Sequence, residues 1–275
     1  MVDPLSLVLW ATLAALVVMV ALWAVERRIQ NASLADVGWC VVLVAVVWWY
    51  AAAGAGEPMR RLLLAGMAGV YGLRLGLHVL FTRVVGQQED PRYRRLRREW
   101  GPDAPRYLFG YFLLQAGAVV VFSLPFLALM QNPRPTLSLW EYAGILVWML
   151  AVAGETAADL QLADFKRKPW NHDRVCREGL WRYSRHPNYF FEWLQWWAYV
   201  LMGFDVPNGY ITGLGPGVMG WALLKVTGIP PAEAQAVHRR GEDYRRYQET
   251  TNAFVPWFPR RGQGSPADVL WRNDR

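Results

Sequence analysis

The stretch LSLVLWATLAALVVMVALWAV, residues 5–25, is an apolar run without a single charged residue. About 20 such residues are enough for a helix to cross the roughly 30 Å hydrocarbon core of a bilayer. Lipid offers the backbone no hydrogen-bond partner, so a helix is the expected form. No small-residue cleavage site follows the run, which favours a membrane span over a signal peptide.

Six further apolar runs follow, and they lie near 34–53, 62–82, 108–130, 139–162, 188–204 and 208–228. We therefore predict an all-α, polytopic membrane protein with seven transmembrane helices. We expect one membrane domain over 1–260 and a cytoplasmic tail over 261–275. The last two runs are the weakest, because the connection at 205–209 is short and glycines interrupt the seventh run.

The lysines and arginines predict the orientation of the spans. If the N-terminus lies outside, the loops on one side hold 24 of the 29 basic residues and those on the other side hold three. This asymmetry fits the positive-inside rule and predicts a cytoplasmic C-terminus, with a bacterial inner membrane as the expected location. The net charge of +7 does not indicate nucleic acid, because the basic residues lie in short segments between apolar runs. We expect short charged helices within 87–106 and 232–250.

Several polar residues fall inside the predicted spans, where ionisable groups are costly and commonly functional. The four sets are Asp36 with Trp39; Tyr71, Arg74 and His78; Glu155 and Asp159; and Asn188 and Glu192. Structural alternatives stay open for each set. Asp36 can stabilise a helix N-terminus, and Asn188 can cap a helix after Pro187. Tyr71 can pack between helices, and Arg74 can neutralise an acidic neighbour.

The segment GLWRYSRHPNYFFE, residues 179–192, joins an arginine-rich loop over 166–185 to one of these polar sets. Arginine side chains bind phosphate through paired hydrogen bonds. The loop therefore predicts a site for an anionic cofactor that enters from the cytosol. No Rossmann or Walker pattern is present, and the four histidines lack metal-ligand spacing, so we predict no metal site.

The segment FKRKPWNHDRVCREGLWRYSRHPNYFFEWLQWW (165–197) resembles the C-terminal domain of the steroid 5α-reductase family, in particular its bacterial branch. Four further segments share the resemblance, which covers nearly all of 31–260: DVGW (36–39), YGLRLGLH (71–78), EDPRYRRLRREWG (89–101) and EDYRRYQETTNAFVPWFPR (242–260). The resemblance implies a seven-helix membrane oxidoreductase that uses NADPH to reduce a carbon–carbon double bond conjugated to a ketone, typically in a steroid.

The resemblance also implies roles for particular residues. Tyr71 would bind the substrate ketone with Asp36 as the accompanying catalytic acid, and Trp39 and Arg74 would lie at the substrate. The implied cofactor residues are Asp159, Lys166, Arg174, Arg182, Arg185, His186, Asn188, Tyr189 and Glu192. The chain departs from the animal reductases in having Asp36 in place of a glutamate, Glu155 in place of an asparagine and Glu233 in place of a histidine.

Two other functions are compatible with the sequence. The motif RHPNY, residues 185–189, also occurs in membrane methyltransferases that use S-adenosylmethionine and resemble isoprenylcysteine methyltransferase. A non-catalytic lipid-binding or scaffolding protein is the third possibility, although it leaves Asp159, Asn188 and Glu192 without a ligand. For the reductase we expect a monomer in contact with membrane lipid and a lipid-soluble small-molecule substrate, and no nucleic-acid partner.

Overall fold

The computed structural model describes residues 2–260, within which helix is the only regular secondary structure and accounts for 79% of the fold. The α-helices are α1 Pro4–Ile29, α2 Leu34–Ala53, α3 Pro58–Val79, α4 Pro91–Trp100, α5 Ala104–Met130, α6 Leu139–Arg167, α7 Pro187–Met202, α8 Leu214–Trp221, α9 Ile229–Arg240 and α10 Glu242–Thr250. Short π-helical segments follow α3 at Leu80–Val84 and α8 at Ala222–Val226.

Five helical segments are long and apolar enough to cross a membrane, and they are Pro4–Ile29, Leu34–Ala53, Pro58–Val84, Pro91–Met130 and Leu139–Arg167. They coincide with the first five predicted runs, so the all-helical membrane class is confirmed. The sixth and seventh runs form α7, which has 16 residues, and α8, which has eight. Both are shorter than the length that a spanning helix ordinarily needs.

The first helix shows how these segments meet lipid. Its buried residues Leu7, Ala11, Ala15 and Met19 recur every four positions and form one narrow stripe. Large apolar side chains such as Leu9, Trp10 and Val17 are about 60% exposed. Spacing of four places residues on the same helix face, so only one face packs against protein. The remaining apolar surface is the kind that hydrocarbon covers, which makes the chain an integral membrane protein.

The described chain divides into two compact units, and the boundaries fall within α6, α7 and α8. The first unit comprises the described residues up to Ile145 together with Trp197–Gly215. The second unit comprises Leu146–Trp196 together with the described residues from Pro216 onward.

A buried arginine fastens one end of the first unit. The Arg60 clamp, as we name it, consists of Arg60, Glu141 and the carbonyl groups of residues 132, 134 and 136. Arg60 donates from Nε to Glu141 Oε1 at 2.5 Å and from Nη2 to Glu141 Oε2 at 3.2 Å. Its other donors reach the three backbone carbonyls at 2.5–3.2 Å. Both charged side chains are only 2% exposed. The sequence indicated only a charged residue in a loop at this position, whereas the structure buries Arg60 and pairs it with Glu141.

Two of the predicted charged segments can be compared with the structure. A charged helix within 87–106 is confirmed as α4, and Gly101, with φ of 51°, ends it. The segment 232–250 lies in two helices, α9 and α10. Gly241, with φ of 53°, separates them. A positive φ favours glycine because it has no Cβ. The predicted tail over 261–275 lies outside the described residues.

Candidate functional site

The basic loop of the second unit is fastened to α6. The indole Nε1 of Trp181 donates to the carbonyl of Ala158 at 2.9 Å. The backbone N–H of Leu180 donates to Gln161 Oε1 at 2.8 Å. Since these two attachment points flank Asp159, the chain just before α7 is held beside that carboxylate.

An amide–carboxylate pair connects α7 to α6 within the second unit. Asn188 Nδ2 donates to Asp159 Oδ1 at 3.1 Å. The other side-chain atom, Asn188 Oδ1, accepts the backbone N–H of Tyr189 at 3.0 Å near the start of α7. Asn188, Asp159 and Glu192 are all half-buried. The structure therefore brings two of the residues predicted from the sequence into direct contact, with Glu192 one helical turn further along α7.

The cations of the loop fall into two groups. Arg167 pairs with Asp164 and Arg177 with Asp243, each at 2.8 Å. In contrast, the exposed Lys168, Arg174 and Arg182 form no ion pair with any other residue of the 2–260 range. Lys166 is also exposed, at the end of α6. Lys168, Arg174 and Arg182 therefore carry exposed positive charge on this loop.

Arg185 and His186, which were predicted as cofactor residues, are both bound to Glu233 of α9. Arg185 Nε lies 2.6 Å and His186 Nε2 lies 3.3 Å from Glu233 Oε1, and Gln248 donates to Oε2 at 2.9 Å. The His186 ring also stacks on Tyr189, with centroids 5.3 Å apart. These contacts fix the position of the chain at the start of α7.

The Glu233 carboxylate is held ionised by its partners. Burial alone raises its pKa, but the hydrogen bonds from His186, Arg185 and Gln248 outweigh burial and lower the pKa to about 2. Hydrogen bonds to the charged form of a carboxyl group have this effect. The Glu233 network therefore remains charged at neutral pH and connects α7, α9 and α10 in the second unit.

In the first unit, Asp36 lies at the centre of a charged group that we name the Asp36 cluster: Asp36, Arg83, Asp90, Arg92 and Tyr93. The hydroxyl of Tyr93 donates to Asp36 Oδ1 at 2.7 Å, and Arg92 Nη2 donates to Oδ2 at 3.3 Å. Arg83 lies 4.0 Å from the same oxygen and 2.9 Å from Asp90. The Asp36 side chain keeps 20% of its surface exposed.

The π-helical segment after α3 explains how Arg83 reaches this cluster. A π-turn shifts the side chains that follow it relative to an α-helix and often occurs at functional sites. The carbonyl of Arg83 accepts a hydrogen bond from Asn31 Nδ2 at 2.8 Å, which ties the segment to the α1–α2 connection. Burial raises the pKa of Asp90, but Arg92 and Arg83 outweigh it, and the net effect lowers that pKa. Both acids of the cluster therefore face arginines.

The residues expected to bind substrate also lie in the first unit. Tyr71 is buried on α3, and Arg74, one turn later, is half-buried. Trp39 packs edge-to-face on Phe122 of α5, with ring centroids 5.5 Å apart. Asp36 accepts a hydrogen bond from the hydroxyl of Tyr93, and the 57-residue separation hid this partner from sequence reasoning.

Comparison with known proteins adds a family. A family model described as "Protein of unknown function (DUF1295)" matches residues 22–251. The chain belongs to this DUF1295 family. An uncharacterized protein of Schizosaccharomyces pombe is 23% identical over 281 residues, which cover 90% of this chain and 78% of the yeast protein. No solved structure matches the chain.

Proposed function

We propose that this DUF1295 protein is an NADPH-dependent membrane reductase, which reduces the carbon–carbon double bond of an α,β-unsaturated ketone of the 3-oxo-Δ4-steroid type. The observation that carries the proposal is the Asn188–Asp159 hydrogen bond between two apolar helices, beside a loop with uncommitted cations. Both residues are half-buried, and polar groups inside apolar helices commonly mark functional sites. A dinucleotide supplies both the polar groups and the negative charge.

The second unit fits the two ends of this cofactor. Asn188, Glu192 and Asp159 would bind the nicotinamide and ribose groups, since amide and carboxylate side chains match their hydrogen-bonding atoms. Arg174, Arg182 and Lys166 would bind the phosphates. Arg185, His186 and Tyr189 act behind them by fixing the start of α7. A bound nicotinamide would supply the hydride that adds to the β-carbon of the ketone.

Tyr71, Trp39, Arg74 and Asp36 are the residues proposed for the substrate. Tyr71 donates a hydrogen bond to the ketone oxygen, where negative charge develops as the β-carbon is reduced. Such a donor is most effective where water is excluded, and Tyr71 is only 2% exposed. Trp39 would contact a flat apolar substrate, and Arg74 would assist at its polar end. Asp36 would be the accompanying acid, and it also accepts a hydrogen bond from Tyr93.

The proposal includes a topology finer than five spans. We propose that α7 and the α8 segment complete a seven-helix arrangement, with the N-terminus outside and the loop over 166–185 in the cytoplasm. The 24-to-3 distribution of basic residues supports this orientation. A monomer in the bacterial inner membrane, with a substrate that enters from the lipid, completes the proposal.

Ligand-induced thermal stabilisation tests the cofactor. A ligand at 100 times its Kd stabilises the folded protein by about 2.7 kcal/mol. We expect NADPH to raise the Tm of the detergent-purified protein and S-adenosylmethionine to have no effect. Arg182→Ala should weaken NADPH binding about tenfold, because a charge-assisted hydrogen bond to phosphate is lost. The matched control is Arg167→Ala, whose side chain already pairs with Asp164.

Ligand binding and turnover can each contradict the reductase proposal. Stabilisation by S-adenosylmethionine with no response to NADPH would make the protein a methyltransferase of the isoprenylcysteine type. Turnover gives the second criterion, since NADPH consumption should require an enone such as progesterone or testosterone. Tyr71→Phe should retain NADPH binding and lose this turnover. Equal activity of that variant would remove Tyr71 from the reaction.

A further inference from the structure

A chain of hydrogen bonds leads from Asp36 into the first unit. Tyr93 of α4 donates to Asp36 Oδ1 at 2.7 Å. The hydroxyl of Tyr93 lies 2.9 Å from that of Tyr111 on α5. Gln115, one turn further along α5, donates from Nε2 to the Tyr111 hydroxyl at 2.7 Å. Three successive contacts of this length form a continuous path across α2, α4 and α5.

The direction of each hydrogen bond follows from the number of protons available. A tyrosine hydroxyl has one proton to donate. Tyr93 gives its proton to Asp36, so Tyr111 must donate to Tyr93, and the Tyr111 oxygen accepts from Gln115. All donors therefore point toward Asp36 in the resting state. When a proton moves from Asp36 toward Tyr111, each tyrosine hydroxyl along the path reverses the direction of its hydrogen bond.

The residues of the hydrogen-bond path differ in how much of each side chain is exposed. Asp36 keeps 20% of its side chain exposed, whereas Tyr93, in the middle of the path, is only 2% exposed. Tyr111 and Gln115 at the inner end are half-buried. The path is accessible at both ends and sealed in between. A purely structural tyrosine pair would not require an accessible group at each end.

We propose that Asp36, Tyr93 and Tyr111 form a proton path that delivers the second hydrogen of the reduction, with Tyr111 as the group that gives it to the substrate. The inference rests on the proposed reductase function. Once the β-carbon has gained a hydride, the substrate is an enolate that needs one proton at its α-carbon. Tyr111 releases its proton to that carbon, Tyr93 reprotonates Tyr111, and Asp36 relays a proton from water to Tyr93. Asp36 takes a proton from water, so no other reactant is needed.

Charged groups surround the Asp36 end of the path. Arg92 of α4 and Arg83 of the π-helical segment face the Asp36 carboxylate, and Asp90 pairs with both arginines. Arg97 of α4 pairs with Glu26 and Glu89. Positioned donors of this kind contribute about 10²- to 10⁴-fold to proton-transfer steps.

The kinetic test removes one hydroxyl at a time and keeps the aromatic ring. Tyr111→Phe should lower kcat with NADPH and an enone about 100-fold, and Tyr93→Phe should lower it less. In both variants the solvent deuterium isotope effect on kcat should rise, because the proton step becomes limiting. Tyr107→Phe is the matched control, since this exposed tyrosine lies one turn before Tyr111 on the same helix. A wild-type isotope effect and kcat in both test variants would overturn the path.

An infrared measurement tests the path without turnover. The C–O stretching bands of Tyr93 and Tyr111, assigned by their loss in the two phenylalanine variants, should both shift in Asp36→Asn. The band of Tyr107 should stay unchanged. A shift of the Tyr93 band alone would show that the coupling ends there and would overturn the path while the reductase proposal stands. Failure of the wild-type protein to reduce any enone would overturn the reductase and the substrate end of the path together.

Discussion

The Arg60 clamp and the Asp36 cluster lie at opposite ends of the first unit and use charge differently. Arg60 places all five of its N–H donors on oxygen acceptors, and it is 2% exposed. The Asp36 cluster balances two acids with two arginines but leaves Arg83 34% and Arg92 30% exposed. In the Arg60 clamp the arginine is buried and has no unused donor, whereas the Asp36 cluster retains accessible polar atoms.

This difference separates a structural from a chemical role. A buried ion pair whose donors are all used has nothing left to offer a ligand, and its removal exposes a large desolvation cost. A partly accessible carboxylate with a tyrosine donor can exchange protons with water and with a neighbour. Charge within a membrane protein therefore indicates function only where its hydrogen-bonding capacity is incomplete or reachable.

The largest effect should follow from opening the Arg60 clamp. Arg60→Met leaves the buried Glu141 carboxylate without its ion-pair partner and removes the side-chain donor to three backbone carbonyls. Loss of one partner of a buried ion pair typically costs about 3–5 kcal/mol. We expect a large fall in Tm in detergent and poor recovery of folded protein. The double variant Arg60→Met with Glu141→Leu should recover part of the loss, and an unchanged Tm for the single variant would contradict the comparison.

A substitution in the Asp36 cluster should lower activity and leave stability nearly unchanged. Asp36→Asn keeps the size of the side chain and still accepts from Tyr93 through its amide oxygen, but it cannot carry a proton. We expect kcat for enone reduction to fall about 100-fold with a small change in Tm. Asp205→Asn is the control, because Asp205 pairs with the exposed Arg134 near the clamp. A large loss of Tm in Asp36→Asn with normal turnover would reverse the two assigned roles.

Glu233 provides an intermediate case in the second unit, because its carboxylate is 16% exposed and strongly hydrogen-bonded. Its folded-state pKa of about 2 lies below the usual value of 4.5, so the charged form is stabilised by folding. That stability is fully present above about pH 4.5 and is lost as the pH falls through about 2. The shift corresponds to about 3 kcal/mol, and screening by water at this partly exposed side chain reduces the expected cost of Glu233→Gln at pH 7 to about 2 kcal/mol. Thermal unfolding between pH 7 and pH 2 should show the variant and the wild type converging, and a constant difference would exclude this origin.

The sequence predicted the helices well because each span is a local pattern. Five apolar runs became five long helices, and the charged segment 87–106 became α4. Asp36 and Asn188 were recognisable because polar groups in apolar runs are rare. The contact between Asn188 and Asp159 was suggested only through the resemblance, since 29 residues separate them.

The partners of the charged residues could not be predicted in the same way. Arg60 stands beside Arg61 like an ordinary loop charge, and its acid lies 81 residues later. The path through Tyr93 and Tyr111 depends on how α4 packs against α2 and α5. The π-helical segment that brings in Arg83 has no distinctive local composition. These features arise from tertiary packing, which periodicity along the chain does not encode.

The smallest effect should come from the Arg95–Glu99 pair, which shares α4 with Arg92 and Tyr93. Its nitrogen–oxygen distance of 2.6 Å is as short as that of many buried pairs, but the two side chains are 69% and 49% exposed. Water screens such a pair, and exposed ion pairs contribute little to stability. Arg95→Ala should therefore leave Tm, kcat and the solvent isotope effect at their wild-type values. A fall in turnover would mean that charge anywhere on α4 influences Asp36. Distance to Asp36, and not hydrogen bonding, would then separate functional from incidental charges.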